Sequence, residues 1–152
     1  MTVPRQPVHA LAPNQRKNQG SNLSALWRGA VAALVAGLFG TAIHASISYA
    51  GNDVPLVWGV AVAWLLLGLL VYWAAVSSGK LWSGALALIG CYVCVGLISY
   101  VGNDQLILGM QYYQYLPGPV LASALWMYGM IIPAIIGLVL ALRAIRKQHR
   151  PD

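Results

Sequence analysis

The chain has 152 residues, of which 59% are hydrophobic and 8% charged, with a formal net charge of +6. Ordinary globular chains carry roughly 25% charged residues, so nine basic and three acidic side chains cannot give a domain this size a water-soluble surface, and lipid is its expected solvent. The basic excess would suit a nucleic-acid binder only if it clustered on one face beside aromatic or polar readers. It does not: Lys and Arg occur at positions 5, 16, 17, 28, 80, 143, 146, 147 and 150, at the flanks of apolar runs, and no nucleic-acid partner is expected.

In chain order, residues 1–22 are polar, Pro-containing and aperiodic. They carry too little apolar surface to offset the entropy of ordering and predict a disordered cytoplasmic tail. Residues 23–142 then form the membrane domain, with four apolar runs at about 26–50, 55–76, 81–101 and 120–142. Each reaches the ~20 residues that cross a ~30 Å hydrocarbon core. A helix satisfies its own backbone in lipid, so all four are predicted to be helical. Pro133 is expected to kink the fourth. Residues 143–152 make a basic cytoplasmic tail. The expected fold class is therefore an all-α, polytopic membrane protein of four transmembrane helices arranged as two helical hairpins.

Placing both termini and the Lys80 turn on one side makes every Lys and Arg cytoplasmic and leaves the opposite loops, 51–54 and roughly 102–119, with Asp53 and Asp104 and no basic residue. By the positive-inside rule the chain is N-in and C-in, a multi-pass protein of the plasma membrane. The stretch "SYA" before Gly51 has the small residues of a signal-peptidase site. The apolar run ahead of it is near full spanning length and its leader is long, which predicts that the first span is retained.

The phrase "ISYAGND" at 47–53 returns as "ISYVGND" at 98–104. Both copies are expected to end an outward-going helix and open an external turn. Tyr49 and Tyr100 would lie at headgroup level, and Gly51 and Gly102 would take the left-handed conformation that ends a helix. Asn52, Asp53 and Pro55 would start the second helix. Asp104 would cap a short interfacial helix over "QLILGMQYYQY". Two hairpins of like orientation are what a parallel repeat about the membrane normal would give.

His44 is the one ionisable side chain expected deep in a span. Ala32, Ala36, Gly40, His44 and Ser48 recur every four residues and so share a helical face. Small residues at that spacing admit a close neighbour, and the polar ones can bond across the contact. An intramembrane ionisable group is a functional candidate by default, as proton relay or ligand. The plainer reading is a neutral imidazole bonding a neighbouring backbone or a Tyr, and it is preferred because His9 and His149 lie in the tails and offer no second ligand. Cys91 and Cys94 form a C-x-x-C on one face of the third span. Four-helix, quinone-reducing thiol oxidases need thiols reachable from outside, which this chain lacks, so the pair is expected to pack as small apolar residues. Two cysteines are too few for structural zinc. No phosphate loop, dinucleotide glycine pattern, H-E-x-x-H or Ser-His-Asp set is present. No enzyme activity, metal or cofactor is expected. Trp27 and Trp82 at one end, and Trp58, Tyr112, Tyr113 and Tyr115 at the other, predict interfacial belts.

The stretch "GLFGTAIHASISYAGNDVPLVWG", residues 37–59, ends a first helix in Gly-x-x-x-His and turns through Gly and Pro into a second. With the four-span plan it resembles the small four-helix membrane proteins of actinobacteria, a family to which no activity is assigned. The resemblance covers the four spans, about 120 residues, and implies the fold without supplying catalytic residues. Two functional classes are left. One is a non-enzymatic subunit or accessory protein, packing in the lipid bilayer against another membrane protein or its own copies. The other is a small transporter or channel with His44 in the bundle interior. Four-helix multidrug exporters rely on an acidic residue within the membrane, and no Asp or Glu falls within any span, which favours the subunit.

Overall fold

The computed structural model describes residues 13–50, 54–101 and 107–148. Its elements in chain order are α1 (Pro13–His44), a hairpin of β1 (Ser48–Ala50) and β2 (Val54–Leu56), α2 (Trp58–Ser78), α3 (Leu81–Val101), a single 3-10 turn at Met110–Tyr112, α4 (Pro117–Gly129) and α5 (Ile131–Gln148). Four stretches are long and apolar enough to cross a membrane: Asn22–His44, Trp58–Ser78, Leu81–Tyr100 and Pro117–Gln148. The last spans α4 and α5 together. The chain is a multi-pass membrane protein with an all-α, four-span fold.

The middle spans begin and end close to where the apolar runs predict. Between them Gly79 takes φ 66°, the left-handed conformation that a Cβ disfavours, and the Lys80 N–H bonds back to the Ala75 carbonyl at 3.1 Å. This closes α2 onto α3 in two residues. The fourth span is interrupted at Met130, three residues before Pro133. Pro133 has no N–H to return to the carbonyl of Gly129, four residues back, which accounts for an interruption there.

The first span departs from expectation at both ends. Its helix starts at Pro13, inside the segment read as a disordered tail. A membrane span is a ready-made nucleus, so extending it through Gln, Arg and Lys costs little, and Pro is tolerated in the first turn. At the other end the helix stops at His44, six residues short of the predicted limit. Residues 48–50 form β1 instead, antiparallel to β2 with Tyr49 opposite Pro55. Pro55 is therefore a strand residue and not the first turn of α2, which begins at Trp58. A two-stranded ribbon has only edges, where a Pro without an N–H is accommodated. In the second copy of the repeated phrase, Ile98–Val101 stay helical to the end of α3. The two copies thus differ in conformation. Gly51, Asn52, Asp53, Gly102, Asn103 and Asp104, and with them the proposed caps, lie outside the described residues. Over the "QLILGMQYYQY" stretch the described residues show one 3-10 turn rather than a regular helix.

In the bundle α1 packs against both α2 and α3, and α5 packs chiefly on α2 and less on α3. The core they share is built from Ala32, Ala36, Ala63, Leu67, Val71 and Cys91, with Val95, Trp126 and Met130, all fully buried. Lipid tails are as apolar as Leu, so the helices gain little by hiding apolar surface from one another and are held by close packing. On α1 and α3 that closeness is extreme: a Cβ at Gly37 would lie 2.7 Å from Cys94 Cβ, and one at Gly90 would lie 2.6 Å from Ala33 Cβ. The buried Ser83 hydroxyl adds a bond to the Ala25 carbonyl at 2.7 Å. Of the aromatic residues expected at the interfaces, Trp27, Trp58, Trp82, Tyr113 and Tyr115 are exposed and Tyr112 is half-buried.

Candidate functional site

His44 is the last residue of α1 and not, as its place in the apolar run suggests, two turns inside it. Its side chain is 1% exposed. The ring Nδ1 donates to the backbone carbonyl of Thr41 at 2.5 Å. In a continuing helix that carbonyl would accept the N–H of Ala45; His44 takes the bond itself, and Ser46 turns back onto the Ile43 carbonyl at 2.9 Å. A His bonding the last carbonyls of a helix is a recognised way to end it.

The imidazole stacks on the indole of Trp126 in α4, with centroids 6.1 Å apart and planes inclined by 20°. Gly40, one turn back on α1, lets the indole approach: a Cβ there would lie 2.5 Å from its Cη2. Thr41, His44, Ser123 and Trp126 are all buried, so this junction of α1 with α4 gathers three of the four buried polar residues described, Ser83 being the fourth. Ser123 accepts the Leu108 N–H at 3.1 Å and ties the segment before α4 to that helix. The Thr41 hydroxyl and the Trp126 indole N–H are buried without a hydrogen-bond partner, as is the indole N–H of Trp64. Such a group costs about 1–3 kcal/mol relative to a bonded one.

The predicted face of small and polar residues is therefore only partly assembled. Ala36 is in the core and Gly40 meets Trp126, both within the same chain. Ser48 leaves the face altogether, because the helix has ended and the residue is exposed in β1. Asp53 and Asp104 lie outside the described residues. Thr41 and Trp126 were missed. The available signal was Trp126 itself, a tryptophan about two turns inside its span where most of the chain's others sit near the interfaces.

Cys91 is fully buried and Cys94 partly so, and both thiols are free. Cys94 packs against Gly37 of α1. Among the described residues no three of His, Cys, Asp and Glu gather closely enough to hold a metal ion. A separate apolar cleft of about 450 Å³ opens between α2 and α5, lined by Trp64, Gly68, Tyr72, Pro133, Ile136 and Gly137. It is a groove on the outside of the bundle, and His44 is not among its walls.

No family model matches the chain, and no curated protein or solved structure shows significant similarity to it.

Proposed function

We infer that the protein is a non-enzymatic membrane subunit or accessory protein that packs in the bilayer against another membrane protein or copies of itself, and that it belongs with the small four-helix membrane proteins of actinobacteria that its plan resembles. The observation that carries this is the filled centre of the bundle. Leu67, Val71, Val95, Trp126 and Met130 occupy it with no exposure to a lumen, which suits a packing element better than a conduit. The groove between α2 and α5, with Gly68 and Gly137 on its walls, is a surface on which a further transmembrane helix could approach closely. Isolation of the native protein in mild detergent tests the reading. A larger membrane partner in fixed ratio supports it; a lone oligomer that moves solute in liposomes overturns it.

The second reading is a small transporter or channel, favoured by a buried imidazole beside two unpartnered polar atoms. The variant His44→Ala separates the two. A packing subunit loses function only as far as it loses assembly, and even an interhelical hydrogen bond in lipid averages only about 0.6 kcal/mol. An assembled but inactive His44→Ala protein would favour transport.

The plasma membrane and cytoplasmic termini belong to the same proposal and rest on the charge asymmetry. In a variant lacking Cys91 and Cys94, a cysteine at position 104 should react with an impermeant reagent in intact cells, and one at 80 or 147 only after permeabilisation. External labelling at position 80 would overturn the orientation.

A further inference from the structure

We propose that the basic end of the bundle holds an anionic phospholipid, its phosphate met by Lys80, Arg143 and Arg146 and its first acyl carbons seated between α3 and α5. A second groove, of about 280 Å³, lies there, lined by Leu81, Trp82, Ala85, Leu138, Val139 and Leu142 with almost no polar surface. Its two walls run directly into cations. On α5, Arg143 and Arg146 follow Val139 and Leu142 by four residues, so they continue the groove-lining face one turn toward the helix end. On α3, Lys80 immediately precedes Leu81 and occupies the cap position, its carbonyl accepting the Ser83 N–H at 3.1 Å. The positive end of the α3 dipole points the same way.

Nothing described neutralises these groups. Lys80 donates to the Asn22 side-chain oxygen, a neutral acceptor. The nearby Arg28 is taken up by the Ser77 carbonyl. The chain's acidic residues, Asp53, Asp104 and Asp152, fall outside the described residues, and among those described no carboxylate faces the cluster. Basic pockets between spans, just beyond the hydrocarbon, are the setting in which acidic headgroups are retained. Trp82, 43% exposed on the groove wall, stands where an indole favours the headgroup region. An apolar trough ending in three cations is complementary to a lipid with net negative charge, and a zwitterionic one would bring its own cation against them. The proposal is the same whether the protein is a subunit or a transporter.

The full-length protein in non-ionic detergent, titrated with phosphatidylglycerol or phosphatidylcholine and read by native mass spectrometry, tests this. Saturable retention of phosphatidylglycerol over phosphatidylcholine is expected. Lys80→Gln with Arg143→Gln should weaken it roughly thirtyfold, the product of two surface cations. Ala85→Phe fills the groove without altering charge and should lower retention at least as clearly. Val139→Trp, at a lipid-exposed position, fills it from the other wall if Ala85→Phe fails to fold. Equal binding of the two lipids overturns the proposal. So does displacement by inorganic phosphate, which would mark a headgroup-only anion site. Unchanged retention in a folded groove-filled variant would show diffuse charge attraction and overturn it equally.

Discussion

Trp126→Ala is expected to cost about 3–5 kcal/mol, the range for deleting a fully buried tryptophan. The indole is completely buried, fills the space beside Gly40 and lies under the His44 ring. Its removal therefore empties the contact between α1 and α4. The contrary change, Gly40→Leu, drives a side chain into the same indole and should cost about 1–3 kcal/mol by overpacking. The informative measurement is the cycle. If Gly40 is small because Trp126 is large, the double variant should be more stable than the sum of the two losses, with a coupling of about 0.5–3 kcal/mol. Reversible unfolding in detergent, followed by tryptophan-independent far-UV circular dichroism, gives all four corners. Strict additivity would mean that the two residues do not share a space. The close neighbour that the small-residue face admits at Gly40 is Trp126. That indole belongs to the same chain, so the loss should appear in the isolated protein.

Gly59→Ala should be nearly as damaging, through backbone rather than side chain. A Cβ there would lie 2.2 Å from the Ile43 carbonyl oxygen and 2.8 Å from that of Ser46. The Gly59 N–H also donates to the Ser46 carbonyl at 3.1 Å. Neither oxygen can swing aside like the end of a flexible side chain, so the turn after His44 or the start of α2 has to move. A loss of about 2–3 kcal/mol is expected, together with faster hydrogen exchange across 45–60. Ala61, also near the start of α2 but exposed, supplies the control: Ala61→Val should leave both quantities close to wild type. A stable, slowly exchanging Gly59→Ala protein would show that the chain does not cross this closely.

The two interior spans were legible because lipid asks for one thing, a run of about twenty apolar residues, and Gly79 and Lys80 mark the only gap between them. The limits of α1 were not. Whether His44 continues a helix or takes the Thr41 carbonyl depends on one rotamer and on the indole available to stack against it. The repeated phrase makes the same point. In its first copy it follows a helix already ended by His44 and precedes Val54, Pro55 and Leu56, which pair with it. In its second, the Ser99 hydroxyl returns to the Val95 carbonyl at 2.8 Å and the helix carries on. A short segment does not choose its conformation; its flanks do. The candidate site was half legible for a related reason. An ionisable residue in an apolar run calls for a partner, which singles out His44. Nothing in the linear order gives the register of the fourth span against the first, so Trp126 could not be matched to it.

The interruption at Met130 has a mechanical corollary. The apolar part of Pro117–Gln148 ends at Leu142, before Arg143, and an unbroken helix over those 26 residues would be about 39 Å long, more than the ~30 Å thickness of a hydrocarbon layer. A rigid rod with that excess must lean as a whole or stretch the lipid around it. Two rods with a joint between them can absorb the difference by changing the angle at the joint. The fourth span thus crosses as two shorter segments in series, α4 and α5, joined at Met130, whose N–H still reaches the Trp126 carbonyl at 3.3 Å.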